Sequence, residues 1–121
     1  MPIKNVLVVD DSPTDRQHLT DILSKGGYAV TTAASAEEGI AKVKQTKPDL
    51  VLMDVVLPGH NGYQATRELS KDEATKGIPV ILCTSKSQET DKVWGMRQGA
   101  RDYVTKPVNG AELLKKISAL G

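Results

Sequence analysis

The chain has 121 residues, which is enough for one domain with an ordinary core. Sixteen basic and fifteen acidic residues give a net charge of +1, so no overall field attracts nucleic acid, an anionic membrane or an acidic substrate. No apolar run approaches the ~20 residues of a membrane span, and the apolar run near the N-terminus is too short for a signal peptide. We therefore expect a cytoplasmic protein. The single cysteine, Cys83, excludes an intramolecular disulfide and reads as a buried apolar residue.

Five short apolar runs without sustained polar alternation predict strands that are covered on both faces. In chain order they are "NVLVV" (5–9), "AVTTA" (29–33), "LVLMD" (50–54), "VILCT" (80–84) and "DYVT" (102–105).

The segments between these runs carry helical signals. Ser12 with Pro13 predicts the start of a first helix, and Gly26 predicts its end. The capping-box spacing, a polar cap with Glu three residues later, predicts two further helix starts, at Ser35 with Glu38 and at Asn109 with Glu112. Residues 61–72 and 87–99 are weaker helices bounded by glycine, and Trp94 on the second of them is expected to be a packing residue.

Five strands that alternate with five helices predict an α/β fold, a doubly wound parallel sheet with right-handed crossovers. No linker or composition change suggests a second domain, so we expect one domain over residues 1–121 without an output domain. Ligands of such sheets bind beyond the carboxyl ends of the strands, where the strand order reverses. The order 2-1-3-4-5 of the flavodoxin-like fold would place strands 1 and 3 side by side at that point.

Three carboxylates follow these two strands. Asp10 and Asp11 come directly after strand 1, and Asp54 closes strand 3. Two like charges about 4 Å apart repel by about 4 kcal/mol at an effective dielectric constant of 20. A hard divalent cation offsets this repulsion, and Mg²⁺ suits carboxylate and carbonyl oxygens with open positions for water and a phosphoryl oxygen.

The other strand ends add two donors. Thr84 ends strand 4 with a hydroxyl, and Lys106 follows strand 5 with an ammonium, held beside Pro107. Ser85 offers a second hydroxyl, but strand alternation directs only one of the two toward the cleft, and we favour Thr84. A carboxylate nucleophile, a metal, a hydroxyl and an ammonium are the groups that phosphoryl transfer needs.

The motifs "VVDDSP", "LMDVVLPGHNG", "PVILCTS" and "YVTKPV" resemble the CheY-like receiver domains of two-component response regulators over the whole chain. The resemblance implies that Asp54 is the phosphoacceptor and that Thr84 and Lys106 contact the phosphoryl oxygens. It implies a Mg²⁺ site made by Asp10, Asp11, Asp54 and the backbone carbonyl of Val56. Thr84 and Tyr103 would form the switch, and the partner face would include Lys92, Met96, Tyr103 and Thr105.

The segments "GHNGYQATRELSKD" and "QETDKVWGMRQGARDYVTKPV" are similar to single-domain regulators of the chemosensory system for type IV pilus twitching motility. The resemblance implies a monomer that receives its phosphoryl group from a CheA-like sensor histidine kinase. Such a regulator would either signal by binding another protein or act by draining phosphate from the kinase. Receivers promote their own phosphorylation and dephosphorylation. Because an apolar side chain at Val56 cannot orient water, we expect slow dephosphorylation.

Other functions fit parts of the pattern. A flagellar chemotaxis regulator would share every motif. A haloacid-dehalogenase-type phosphatase also uses an aspartyl nucleophile and Mg²⁺. Such enzymes have a D-x-D motif after their first strand, whereas Asp10 and Asp11 are adjacent here. A flavodoxin-like cofactor binder shares the fold, but "DDSPTD" would repel phosphate. An interaction module with a silent site is the remaining alternative.

Overall fold

The computed structural model describes residues 3–57, 61–84 and 89–120, without the side chains of residues 89–92. Strands and helices alternate along the chain. The strands are β1 (Asn5–Val9), β2 (Ala29–Ala33), β3 (Leu50–Asp54), β4 (Val80–Thr84) and β5 (Asp102–Thr105). The helices are α1 (Pro13–Lys25), α2 (Ala36–Thr46), α3 (Gly62–Lys71), α4 (Glu89–Arg97) and α5 (Gly110–Leu120).

The strands form one parallel sheet in the order β2-β1-β3-β4-β5. This confirms the predicted fold class, and all five strands have the predicted bounds. The register pairs Val9 of β1 with Met53 of β3, so the two strands end at the same edge of the sheet. Asp10 and Asp54 therefore leave the sheet side by side.

Helices cover both faces of the sheet, and each face has its own apolar cluster. Leu19 and Leu23 of α1 pack with Leu113 and Ile117 of α5 on one face. Residues of α2 and α3 pack on the other face, where Ile40 and Leu69 contribute. Because each fully buried Leu or Ile contributes about 1.5–3 kcal/mol, these two layers hold the strand ends in place.

Cys83 lies in β4 within the cluster that α1 and α5 cover. It is buried, as predicted, and this burial raises the pKa of its thiol to about 12. The side chain is therefore a neutral packing residue at any ordinary pH.

The helix starts agree in part with the predicted caps. Ser12 accepts a hydrogen bond from the N–H of Asp15 at 3.2 Å, as an N-cap does. Ser35 accepts from the N–H of Glu38 at 3.1 Å, but the Glu38 carboxylate accepts from Ala34 at 3.2 Å. The reciprocal hydrogen bond thus lies one residue before the cap, and it lowers the pKa of Glu38.

A complete capping box begins α3, one of the two helices that the sequence signals predict weakly. Asn61 accepts from the N–H of Gln64 at 2.8 Å, and the Gln64 side chain accepts from the N–H of Asn61 at 3.3 Å. This capping box can be recognised in the local sequence. Its N3 residue is Gln64, whereas the two predicted boxes have Glu at that position.

The prediction for Trp94 was wrong. It was expected to be a packing residue, but its side chain is 52% exposed. Among the residues of α4 whose side chains are described, Gly95 is the buried one, and it faces the sheet. A Cβ on Gly95 would lie 2.6 Å from a Leu82 methyl carbon. With Gly95 inward, the neighbouring Trp94 and Met96 point toward solvent. Across the described part of the chain, none of the helices has both the length and the apolar character needed to span a membrane.

Candidate functional site

Three carboxylates meet at the edge where β1 and β3 end. One oxygen from each of Asp10, Asp11 and Asp54 lies within 4.8 Å of the others, as the sequence predicted. Asp10 and Asp54 are only 1% and 7% exposed, and Asp11 is exposed. Buried carboxylates this close are costly without a cation, and an all-oxygen set suits a hard divalent ion. The donor set therefore fits Mg²⁺. Within the described ranges, it is the only group of three acidic, His or Cys side chains so arranged.

Asp10 is held rigidly from several sides. Its N–H donates to the carbonyl of Ala33 on β2 at 3.0 Å. Its Oδ1 accepts from the N–H of Ser12 at 2.9 Å, and its carbonyl accepts from the Arg16 guanidinium at 2.7 Å. These contacts tie the end of β1 to the first turn of α1, so the carboxylate has little freedom to turn away.

The environment of Asp54 opposes its charge. Burial, and after it the nearby Asp10 carboxylate, raise the pKa of Asp54 from 3.8 to about 6. The Lys106 ammonium and a hydrogen bond from the Val56 N–H act in the opposite direction. The carboxylate is therefore ionised at neutral pH but less stable than an exposed aspartate, which favours any step that gives it a cation or a covalent partner.

Lys106 bridges three carboxylates. Its Nζ lies 2.8 Å from Asp10, 2.9 Å from Asp15 and 3.3 Å from Asp54. Burial alone would lower the pKa of Lys106, but the hydrogen bonds to Asp10 and Asp15 and the charge of Asp54 outweigh it and raise that pKa. The Lys106 N–H also donates to the Thr84 carbonyl at 2.6 Å, which fixes the backbone beside the cleft. The ammonium is thus permanently charged and aimed at the carboxylates.

Two members of this site were missed by the reading of the sequence. Asp15 and Arg16 both lie in the first turns of α1, directly after the paired aspartates. A signal was available, because Asp15 and Arg16 follow the end of β1 by six and seven residues, and the first turns of a helix that begins there can direct side chains back toward that edge. Asp15 had nothing else in the sequence to connect it with Lys106.

Thr84 ends β4, and Tyr103 lies on the neighbouring strand β5. Thr84 is buried, Tyr103 is half-buried, and both line one small cavity with Val55, Tyr63 and Met96. Lys116 Nζ lies 5.2 Å from the centroid of the Tyr103 ring.

The remaining predicted residues lie around the cluster. Val56 is 70% exposed, beside the phosphoacceptor candidate. Met96 is exposed and Thr105 is half-buried. The side chain of Lys92 lies outside the described part, as does Ser85.

Comparison with known proteins identifies the class of protein. Residues 6–118 match the model of the response regulator receiver domain family, and the chain belongs to that family. Receiver domains accept phosphoryl groups from histidine kinases. Membership of this family favours a receiver function over the phosphatase and the cofactor binder, which share only parts of the sequence pattern.

Particular relatives narrow this class. The chain is 58% identical to the protein PilH of Pseudomonas aeruginosa over 115 residues, 95% of either chain. The finer resemblance predicted from the sequence is thereby confirmed as a similarity to PilH. The structure of the Vibrio cholerae chemotaxis protein CheY4 has a TM-score of 0.91 and 30% identity, covering 98% of this chain and 99% of that one.

A third relative bears on the acidic cluster. The receiver domain of the Pseudomonas aeruginosa sensor histidine kinase PA1611 has a TM-score of 0.88 and 30% identity, covering 96% of this chain and 95% of that one. A magnesium ion is coordinated in the active site cleft of that structure.

Proposed function

We propose that the chain acts as a receiver, with a single domain over residues 1–121. It takes a phosphoryl group on Asp54 from a phosphohistidine of a CheA-like sensor histidine kinase. The observation that carries this proposal is the convergence of Asp10, Asp11, Asp54 and Lys106 at one edge of the sheet.

Asp54 is the nucleophile of this reaction. An oxygen of its carboxylate forms a bond to phosphorus while the bond between phosphorus and the kinase imidazole nitrogen breaks. Since the pKa of Asp54 is about 6, the carboxylate is ionised at neutral pH and can attack. Its crowded negative charge makes the ground state less favourable than that of a solvated aspartate.

Lys106 and Thr84 stabilise the phosphoryl group in transit. The Lys106 ammonium lies 3.3 Å from Asp54, so it can follow the charge that develops on the phosphoryl oxygens. Thr84 is the last residue of the neighbouring strand β4, and its hydroxyl can donate a hydrogen bond to another phosphoryl oxygen. Both donors come from rigid strand ends, so little reorganisation is needed at the moment of transfer.

Asp10, Asp11, Asp54 and the carbonyl of Val56 would hold a Mg²⁺ ion. When bound, Mg²⁺ supplies positive charge that neutralises the phosphoryl oxygens and offsets the repulsion among the carboxylates. The close oxygens of the acidic cluster and the magnesium ion in the PA1611 receiver support this assignment.

Phosphorylation adds about −1.5 to −2 charges at Asp54. Thr84 and Tyr103 share one cavity, so a shift of Thr84 toward the phosphoryl group would change the space available to the Tyr103 ring. The change would reach a partner face on α4 and β5 that includes Lys92, Met96, Tyr103 and Thr105.

We place this receiver in the chemosensory pathway of type IV pilus twitching, as a monomer. Its similarity to PilH favours this pathway over flagellar chemotaxis. It acts either by binding a protein or by draining phosphate from the kinase.

The receiver also removes its own phosphoryl group, and the exposed Val56 bears on the rate. An isopropyl side chain cannot hydrogen-bond an attacking water, so we expect a phosphoryl lifetime of minutes or longer. If Val56→Asn leaves the lifetime unchanged, Val56 does not control it.

Intact-mass spectrometry after incubation with phosphoramidate tests the central step. The wild type should gain one phosphoryl group, and this gain should require both Mg²⁺ and Asp54. Asp54→Asn should gain none, whereas Asp21→Asn, which removes an exposed carboxylate of α1, should behave as the wild type. Absence of any gain on folded wild type would refute the proposed function and favour an interaction module with a silent site.

A further inference from the structure

Asp15 places a fourth carboxylate against the ammonium of the site. Its Oδ2 lies 2.9 Å from Lys106 Nζ, as close as the Asp10 contact at 2.8 Å. The N–H of Asp15 donates to the Ser12 cap of α1, so the backbone that carries this carboxylate is anchored. The Asp15 side chain is 41% exposed, at the outer side of the cleft.

Asp15 differs from Asp10 and Asp54, the other two partners of Lys106, because it has no metal-binding or phosphoryl-accepting role in the proposed reaction. Asp10 would bind the metal ion, and Asp54 would bind the metal and receive the phosphoryl group. Each would then offer less negative charge to Lys106. Asp15 is not part of the group of three close carboxylates, so its charge stays available to the ammonium throughout.

We infer that Asp15 is a positioning residue that holds the Lys106 ammonium beside the phosphosite when Asp10 and Asp54 are engaged. This inference rests on the proposed function. Without Asp15, Lys106 would pair only with Asp10 and Asp54 in the metal-free protein and would compete there with a divalent cation. Once those two are engaged, its long flexible side chain could turn toward solvent.

A purely local role for Asp15 makes a different prediction. An acidic residue in the first turn of a helix stabilises that helix through the macrodipole, whatever Lys106 does. A bare negative charge near the cleft would likewise attract Mg²⁺ without Lys106. A double-mutant cycle between Asp15 and Lys106 separates these roles from positioning through the ammonium.

The first measurement is the rate of phosphoryl incorporation from phosphoramidate, followed by intact mass at saturating Mg²⁺. Asp15→Asn should slow incorporation about five-fold, the size expected for loss of one partly exposed ion pair. Asp15→Glu should recover part of the rate, because it restores the charge with one more methylene. Asp21→Asn removes the same charge from an exposed position on the same helix and should not change the rate.

The decisive comparison uses Lys106→Met and the double variant. If Asp15 acts through Lys106, the double variant should be no slower than Lys106→Met alone. If Asp15→Asn slows both backgrounds by the same factor, Asp15 acts through the helix or as a bare charge, and the inference is wrong. Lys106→Gln provides the same background with a polar side chain if Lys106→Met does not fold.

A second measurement is independent of phosphorylation. Calorimetric titration with Mg²⁺ alone should show about three-fold weaker binding for Asp15→Asn than for Asp21→Asn, a difference of the size of one partly exposed ion pair. The difference should vanish in the Lys106→Met background. If it persists there unchanged, positioning through Lys106 is refuted. Since no phosphodonor is present, this titration tests Asp15 even if the wild type never gains a phosphoryl group.

Discussion

At the scale of single residues, the fold makes the negative charge of Asp54 energetically unfavourable. Its carboxylate is buried beside Asp10, and its pKa of about 6 lies above the ordinary value of 3.8. The folded protein therefore binds a proton there more tightly than the unfolded chain does. Stability from this group is present at low pH and is lost as the pH rises from about 4 to about 6.

We predict that Asp54→Asn stabilises the metal-free protein at pH 8 by about 3 kcal/mol, because it removes an ionisation whose pKa the fold raises from 3.8 to about 6. Below about pH 3 the gain should disappear, since the wild-type carboxyl is then protonated in both states. Urea unfolding in the presence of a chelator measures it. Asp21→Asn is the control, and a gain that is equal at both pH values would contradict the electrostatic explanation.

At the scale of secondary-structure elements, the start of α3 packs directly on the end of β3. The N–H of Gly62 donates to the Val55 carbonyl at 2.8 Å. A Cβ on Gly62 would lie 2.1 Å from the backbone oxygen of Asp54 and 2.9 Å from the Val55 Cα. Backbone atoms cannot move aside as the end of a flexible side chain can, so this approach requires glycine.

We predict that Gly62→Ala lowers the free energy of unfolding by at least about 2 kcal/mol, because α3 and the Asp54 backbone must separate. The same shift should slow phosphoryl incorporation. Gly77→Ala is the matched control, since a Cβ there meets nothing within 4 Å. Thermal unfolding of the two variants side by side decides the point, and equal stability would show that the approach is relaxed in solution.

At the scale of the whole molecule, the acidic cluster lies at the ends of β1 and β3, two neighbouring inner strands of the sheet. Asp10 follows β1 and Asp54 ends β3, so a cation bound to both would link these strands. A ligand that binds only the folded state stabilises it by an amount that grows with its concentration.

We predict that Mg²⁺ at about 100 times its dissociation constant raises the stability by about 2.7 kcal/mol, and that a chelator reverses the effect. The melting temperature should rise by several degrees. Asp10→Asn should lose most of this rise while Asp21→Asn keeps it. An equal rise in both variants would mean that Mg²⁺ binds elsewhere.

Cys83 offers a reporter of global unfolding, because it lies in the central part of the sheet with a pKa of about 12. We predict that a thiol reagent labels the native protein slowly and that Mg²⁺ slows labelling further, since labelling requires opening of β4. Fast labelling that denaturant does not accelerate would show that β4 opens locally.

Much of the fold and part of the site can be predicted from the sequence. The five apolar runs predict their strands because both faces of each strand are covered, so no polar alternation obscures their ends. Parallel strands then carry whatever follows them to one edge, which brings Asp10, Asp54 and Lys106 together. The strand order itself came from the resemblance to a known fold, because local pattern does not specify which strands pair.

Other features were decided only by the tertiary structure. The contact between Asp15 and Lys106 joins residues 91 positions apart and depends on how α1 sits against the loop after β5. The exposure of Trp94 depends on which side of α4 meets the sheet, and Gly95 decides that by steric fit. Local sequence determined where strands and helices begin and end, because hydrogen-bond capping and burial act over a few residues. Long-range packing determined which charges meet and therefore what the site can do.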